Sequence, residues 1–484
     1  MAKFTRRQFL GTSLAAAGTV AISHTKSSGK IIGANDTVRI AVAGLNGRGG
    51  SHVGAYTGMK NVAITHLVDP DSRTYKKHLD TIAKKGGSVP ECVTDIRKVL
   101  EKKDVDAVSI ATPNHWHALM TIWACQAGKD VYVEKPCSHN VHEGRIAVEM
   151  ARKHDRIVQH GTQSRSDAKW AKLAEIVKTG KLGKLLVSYG LCYKPRGSIG
   201  TKPITPAPAE VDFDLWLGPA TEQKHHANLV HYNWHWFWEF GNGDIGNQGV
   251  HQMDVARWLI PGATLPKSVF SLGGRFGYTD QGQTANTQWT VMEFDGIETK
   301  LVFEVRGLKT DKFHGETVGN VLKFESGIVA GGKFFPNGKD VGEALPNVEI
   351  PARGTGDNFG NFINTIRSRK RAEQYADILE GHYSSALCHL ANISYQIAFL
   401  QEHKPETYAP YGGELLKPDL VRFAKYLDEI GVKRNEWFNV GAKLAFDSKA
   451  ERFTPNKNLP DRANEANLCL TRQYRKGFVV PEKV

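Results

Sequence analysis

The chain has 484 residues, of which 40% are hydrophobic and 23% charged, and its mean hydropathy is −0.38. That length exceeds one ordinary domain and is enough for two sizeable cores, while no apolar run is long enough to cross a bilayer. Lys and Arg number 63 against 50 Asp and Glu; five of the basic residues fall in the first thirty positions, which carry no acid, so the remainder stands at 58 against 50, or +8. Spread along the chain, this mild excess is no nucleic-acid footprint. Six cysteines without a CxxC pair or zinc-ligand spacing neither require nor exclude disulfides.

The opening "MAKFTRRQFLGTSLAAAGTVAIS" places Lys3, Arg6 and Arg7 before a weakly apolar, Ala/Gly-rich stretch. Gly11 and Gly18 interrupt it, which suits a signal peptide over residues 1–30 better than a structural helix. "TRRQFL" resembles a twin-arginine export signal, whose route carries folded proteins out of the cytoplasm. The expectation is an exported, periplasmic or extracytoplasmic protein that meets the twin-arginine machinery.

From Thr37 strands alternate with helices. "TVRIAVAG", "VAITHLVD", "VDAVSIATP" and "DVYVEKP" are β-branched runs, and helical segments are expected over 72–85, 95–102 and 117–128. This grammar predicts a doubly wound parallel sheet over residues 37–158. Beyond Val158 longer alternating strands follow, with Asp295-Gly296 as a hairpin turn, then helices over 357–366 and 383–399. The fold class is therefore α/β: an N-terminal Rossmann domain and a second α+β domain, 159–406, with an open, mainly antiparallel sheet. The polar tail 407–484, with scattered Pro and Gly, is expected to wrap the surface, capping a neighbouring subunit as one option.

In "AGLNGRGG" the glycine fingerprint runs Gly44-x-Asn46-x-x-Gly49, with Asn46 in place of the usual second glycine, an extra Gly47, and Arg48 opening the helix. A tight turn, close backbone approach and a helix N-terminus are what a pyrophosphate needs. Asp69 closes the second strand 20 residues after Gly49, where a carboxylate accepts from a ribose diol and repels a 2′-phosphate. NAD is favoured over NADP.

Glu134-Lys135-Pro136 ends a parallel strand at the edge where a nicotinamide would lie. Together with "ATPNHWHA", "GKDVYVEKP" and "GDIGNQGVHQMD", it gives residues 37–400 a specific resemblance to the Gfo/Idh/MocA oxidoreductases, a family that includes glucose-fructose oxidoreductase and inositol dehydrogenase. The resemblance implies that Lys135 and His251 are catalytic, that Thr112, Pro113, Asn114, His117 and Glu134 line the cofactor, and that the chain is a homo-oligomer. Many relatives carry Asp four residues before the histidine; here Asn247 stands one helical turn away, able to orient a hydroxyl but not to take its proton. Asp244, placed with Asn247 and Trp236 on the substrate side, reads as a helix N-cap rather than a catalytic group, and Asp254 as a partner for His251 or Arg257.

Trp234, Trp236 and Trp238 alternate as in a strand, with Trp236 the candidate sugar-stacking ring, and His231 and His235 read as wall or surface residues. His225-His226 and His115-x-His117 lack a clear third metal ligand, so no metal is expected. The resemblance implies oxidation of a CH–OH group in a sugar, cyclitol or glycoside. For an exported member, two routes keep the cofactor on the protein: coupled oxidation and reduction, or a transient oxidation that labilises a glycosidic bond, as in the similar NAD-dependent α-N-acetylgalactosaminidases. A dinucleotide-binding sensor without turnover is the remaining alternative.

Overall fold

A computed structural model describes residues 37–433, 437–455 and 460–484; the expected signal, 1–30, lies outside them. Strands β1 (Val38–Ala43), β2 (Val62–Val68), β3 (Glu91–Val93), β4 (Ala107–Ile110), β5 (Asp130–Val133) and β6 (Val158–His160) form a parallel sheet in the order β3-β2-β1-β4-β5-β6. β1, β4 and β5 are almost wholly buried, as expected where helices cover both faces. The helices between them start and stop near the predicted bounds: Tyr75–Lys84 after a short 3-10 turn, Ile96–Leu100 capped by Asp95, and Asn114–Gln126. The order reverses between β1 and β4, and the loops there open a crevice at the carboxyl edge.

The second sheet is mixed and mostly antiparallel. It contains β7 (Leu185–Cys192), β8 (Ser268–Gly274), β9 (Thr287–Phe294), β10 (Ile297–Arg306), β11 (Val318–Phe324), β12 (Gly327–Ala330), β13 (Lys333–Pro336), β14 (Glu343–Ala344), β15 (Phe399–Glu402) and β16 (Trp437–Val440) in the path β14-β13-β12-β11-β7-β10-β9-β8-β16-β15. Only the β7–β10 pairing on this path is parallel. The β9–β10 hairpin turns at Asp295-Gly296, Gly296 taking φ 65°, as its sequence predicts.

Period-two alternation splits each central strand between two cores. Met292 and Phe294 of β9, with Leu301, Phe303 and Val305 of β10, face the helices Gly249–Trp258 and Ile378–Gln396. Trp289, Val291 and Val302 face the other way and meet Tyr408, Leu416, Leu420, Phe423 and Leu427. These last residues belong to the tail, which for this segment corrects the expectation of a surface wrap. The helix Gly413–Glu429 packs its apolar stripe on this chain's own sheet, and β16 extends that sheet. A buried charge cluster anchors the helix: Arg422 bonds Glu304 of β10 and donates to the Tyr193 hydroxyl at 2.8 Å. The last residues do run over the first domain, with Phe478 and Val480 buried beside Trp116.

Among the described residues no helix is long and apolar enough to cross a membrane, and no three His, Cys, Asp or Glu side chains gather as a metal site. The six cysteines are free.

Candidate active site

A cleft of about 370 Å³ lies along the carboxyl ends of β1, β2, β4 and β5. Gly44, leaving β1 at φ 82°, sits so close to the loop after β4 that an added Cβ would fall 2.4 Å from the Thr112 nitrogen. At Gly49 an added Cβ would fall 1.8 Å from the Gly44 carbonyl, so this glycine lets the helix Arg48–Thr57 dock on the strand. Gly47 differs: at φ 105° it precedes the helix, and an added Cβ would point into open space. No side chain caps this helix; Gly50 N donates to Gly47 O at 3.0 Å, which leaves the Arg48 and Gly49 N–H groups for an anion, with Asn46 and Arg48 on the same wall.

Asp69 ends β2 with Oδ2 accepting from Leu45 N at 2.7 Å and Oδ1 from Asp71 N at 2.9 Å. Burial pushes its carboxyl up to about 6 despite those two donors. After β4, Thr112, Pro113 and Asn114 line the cleft, and the buried Thr112 Oγ1 has no partner. Asn114 donates across the domain junction to Asn242 Oδ1 at 3.0 Å. His117 is a strut: Nδ1 lies 2.6 Å from Pro136 O and Nε2 2.7 Å from Thr112 O, although a neutral imidazole can donate to only one carbonyl.

Glu134, at the end of β5, is already engaged by Arg48 at 2.8 Å and by His52 Nε2 at 3.2 Å. Against the upward push of burial, those neighbours hold its carboxyl well below the usual range. It therefore braces Arg48 at the cleft wall. Lys135, next in sequence, donates from Nζ to Asn247 O at 3.0 Å and lies 3.3 Å from Asn247 Oδ1. Its ammonium is disfavoured by burial; Glu134 opposes that effect, and Arg48 and Lys194 add to it.

The stretch expected to carry Asn247 and His251 on one helix is broken. A single turn, Gly243–Gly246, is followed by Asn247 at φ −93° and ψ −88°, and the helix Gly249–Trp258 starts afresh. Asn247 is thus turned toward Lys135 from the break, while His251 lines the cleft from the first turn of the new helix. Burial, then the Lys135 charge, pushes the His251 imidazole down to about 3.

Other expectations need correcting. Asp244 is not the N-cap, which is Asn242; its buried carboxylate is held by Arg196 at 2.8 and 3.1 Å. Asp254 pairs with Arg257 at 4.0 Å, one of its two expected partners, but its closer bonds come from Arg165 Nε, at 3.0 and 2.9 Å, and from Ser384. The three tryptophans do not alternate in a strand: Asn233–Trp236 is a 3-10 turn. Trp236 lies 5.2 Å beneath the Arg196 guanidinium and away from the cleft, whereas Tyr232, Trp234 and His235 line it. Leu215 and Trp216 complete that wall, a contribution from distant chain that no local spacing announces.

Two family descriptions match in tandem, "Oxidoreductase family, NAD-binding Rossmann fold" over residues 38–162 and "Oxidoreductase family, C-terminal alpha/beta domain" over 189–409. The chain belongs to the Gfo/Idh/MocA family. Among its relatives, a glycosyl hydrolase family 109 protein of Shewanella pealeana is 28% identical over 207 residues, covering 38% of this chain and 45% of that one. The scyllo-inositol 2-dehydrogenase (NAD(+)) of Bacillus subtilis is 31% identical over 148 residues, covering 30% and 42%. The match thus spans less than half the length of these curated relatives. The WlbA dehydrogenase of Bordetella pertussis, solved with NADH and UDP-GlcNAcA, shares the fold with a TM-score of 0.53 at 16% identity, covering 73% of this chain and 95% of that one.

The residues present suit the family's dinucleotide. The open space at Gly47, the uncapped helix, and the orphaned Thr112 Oγ1 leave donors and room where a pyrophosphate and a nicotinamide amide belong.

Proposed function

We propose that this Gfo/Idh/MocA protein is an NAD-dependent oxidoreductase acting on a CH–OH group of a sugar, cyclitol or glycoside, with the cofactor held tightly. The observation that carries this reading is the meeting of Lys135 and Asn247 across the domain junction beside His251, at the edge of the parallel sheet. The nicotinamide, when bound, supplies the acceptor for the hydride that leaves the substrate carbon.

The chain's part is to bind, orient and move a proton. Gly44, Asn46, Gly47, Arg48 and Gly49 would hold the pyrophosphate, Asp69 the ribose diol of NAD in preference to NADP, and Thr112, Pro113 and Asn114 the nicotinamide side. Lys135 takes the hydroxyl proton: burial, Arg48 and Lys194 favour its neutral amine, the form a base requires. His251, kept neutral by burial, orients the same hydroxyl. Asn247 positions both Lys135 and substrate through its amide, and the Trp234 and Tyr232 rings offer flat walls to a sugar's C–H face. Asp244 acts at one remove by holding Arg196.

The family 109 glycosyl hydrolase relative favours a second reading, in which the oxidation is transient and the net reaction is cleavage of a glycoside. Twin-arginine export and homo-oligomeric assembly remain parts of the proposal. Release of the bound cofactor from natively exported protein, identified by mass and absorbance before and after incubation with sugars and glycosides, tests it. NAD converted to NADH by a sugar, and restored by a second carbonyl compound, is expected. Bound NAD with no net reduction but free sugar released from a glycoside would replace the first reading with the second, and a cofactor that no sugar or glycoside affects would remove both.

A further inference from the structure

His235 stands in the same cleft as Lys135 and His251, but on the 3-10 turn Asn233–Trp236 of the second domain. Its ring is fixed from several sides. Nδ1 is 2.5 Å from the Tyr232 carbonyl oxygen, the Trp234 ring stacks on it with centroids 3.6 Å apart at 19°, and the Tyr232 ring lies 4.7 Å away. The backbone is fixed as well: a Cβ added at Gly241 would fall 2.5 Å from the His235 Cα, so the chain folds back against this residue with no room to spare.

That geometry decides the tautomer. A carbonyl oxygen can only accept, so the ring proton sits on Nδ1 and Nε2 presents a lone pair. Among the described residues no protein group bonds Nε2, and Nε2 is not one of the buried nitrogens cut off from solvent. Burial pushes the imidazole down to about 3 against the Tyr232 carbonyl, with Lys135 and Arg196 acting in the same direction as burial. The ring is thus an uncharged acceptor at neutral pH. It differs in this from Lys135, whose Nζ is a donor to Asn247 and which exchanges a proton in the reaction.

We infer that His235 is a substrate-recognition residue, whose Nε2 accepts a hydrogen bond from a ring hydroxyl other than the one oxidised, in a polyhydroxylated sugar or cyclitol. The inference rests on the proposed dehydrogenase reading and adds a specificity element to it. Trp234 stacked behind the imidazole prevents the ring from turning, so the acceptor keeps one direction. A substrate lacking that hydroxyl leaves Nε2 unpaired, which is how such a site discriminates.

The test compares the unsubstituted holoenzyme with His235→Leu and His235→Gln on a panel of aldohexoses, inositols, methyl glycosides and their monodeoxy analogues, following NADH absorbance and bound-cofactor content. His235→Leu is expected to lower kcat/KM by roughly tenfold on the hydroxylated compounds. One monodeoxy analogue should be turned over equally by unsubstituted and Leu proteins, and Gln, which retains an acceptor, should recover part of the loss. The shape of the pH profile should not move. A Leu variant within about twofold of the parent on every substrate overturns the inference. So does equal loss in Leu and Gln on hydroxylated and deoxy compounds alike, which marks a structural role. If the unsubstituted protein turns over none of the panel, the dehydrogenase reading itself fails and this role fails with it.

Discussion

Lys135 Nζ donates to the backbone oxygen of Asn247 at 3.0 Å and lies 3.3 Å from its side-chain oxygen, so one amine joins the carboxyl edge of the parallel sheet to the break before the helix Gly249–Trp258. Neither oxygen can take a proton. With His251 pushed down to about 3, the basic group of the site at neutral pH is Lys135. Lys135→Ala should lower kcat/KM by about 10²–10⁴-fold while NAD still binds. Steady-state rates together with cofactor titration check this, and a near-normal rate would remove Lys135 from the chemistry.

The same contact predicts a pH effect. Lys135 is active as the neutral amine, so kcat/KM should rise with pH through its lowered pKa and level off above it. Asn247→Asp would set a carboxylate beside the ammonium and stabilise it, moving that limb to higher pH by about one unit or more. A pH profile of the variant that overlays the parent's would show that Lys135 does not set the limb.

Asp69 carries the second pH dependence. Its free carboxyl titrates at about 6, and ribose hydroxyls donating to it would favour the ionised form, so its pKa falls when NAD binds. Affinity is therefore full above pH 6 and lost as pH falls below it; a bound pKa near the ordinary value gives about tenfold weaker binding at pH 5. The sign for folding is opposite. A carboxyl raised above its unfolded value contributes stability below the unfolded pKa, and this is lost as pH rises through about 6. Calorimetric titration of NAD at pH 5 and 7.5 should show the loss in the parent and a flat response in Asp69→Asn. Asp69→Ala should also weaken the preference for NAD over NADP.

How far the sequence could be read follows from where each signal lies. β1, β4 and β5 are rich in Val and Ile because both their faces are buried, and the Asp295-Gly296 turn needs a positive φ that Gly296 supplies. Lys135 and His251 were picked out by the family resemblance, and both line the cleft. Trp234, Trp236 and Trp238 misled because a spacing of two mimics a strand when the chain is in fact turning at Asn233–Trp236. Asn247 lost its helical register with His251 because the backbone between Gly246 and Gly249 leaves the helix, at a Gly-Asn-Gln-Gly stretch whose glycines and asparagine favour a break. His235 does stand in the cleft wall as expected, but the carbonyl and ring that fix its imidazole are not visible in spacing.

The tail was misread for a different reason, and it yields the last prediction. Leu416, Leu420, Phe423 and Leu427 recur at helical spacing, but Gly412, Gly413 and Pro418 give the segment the composition of a loop. The sheet face formed by Trp289, Val291 and Val302 decides the matter, since it would otherwise be exposed. Glu304 is fully buried on that face, and Arg422 of the helix and Arg306 both pair with it. Removing the tail cation alone leaves Glu304 short of a partner, and breaking such buried pairs typically costs about 3–5 kcal/mol. Arg422→Met should therefore destabilise the protein strongly. Combining it with Glu304→Gln, which also takes the carboxylate from Arg306, should cost less than the sum of the two single variants, because the Arg422–Glu304 pair can be lost only once. Denaturant melts of the two single variants and the pair measure the coupling. If the double variant loses the sum of the singles, the two side chains do not act together, and the helix is held on the sheet by its apolar stripe alone.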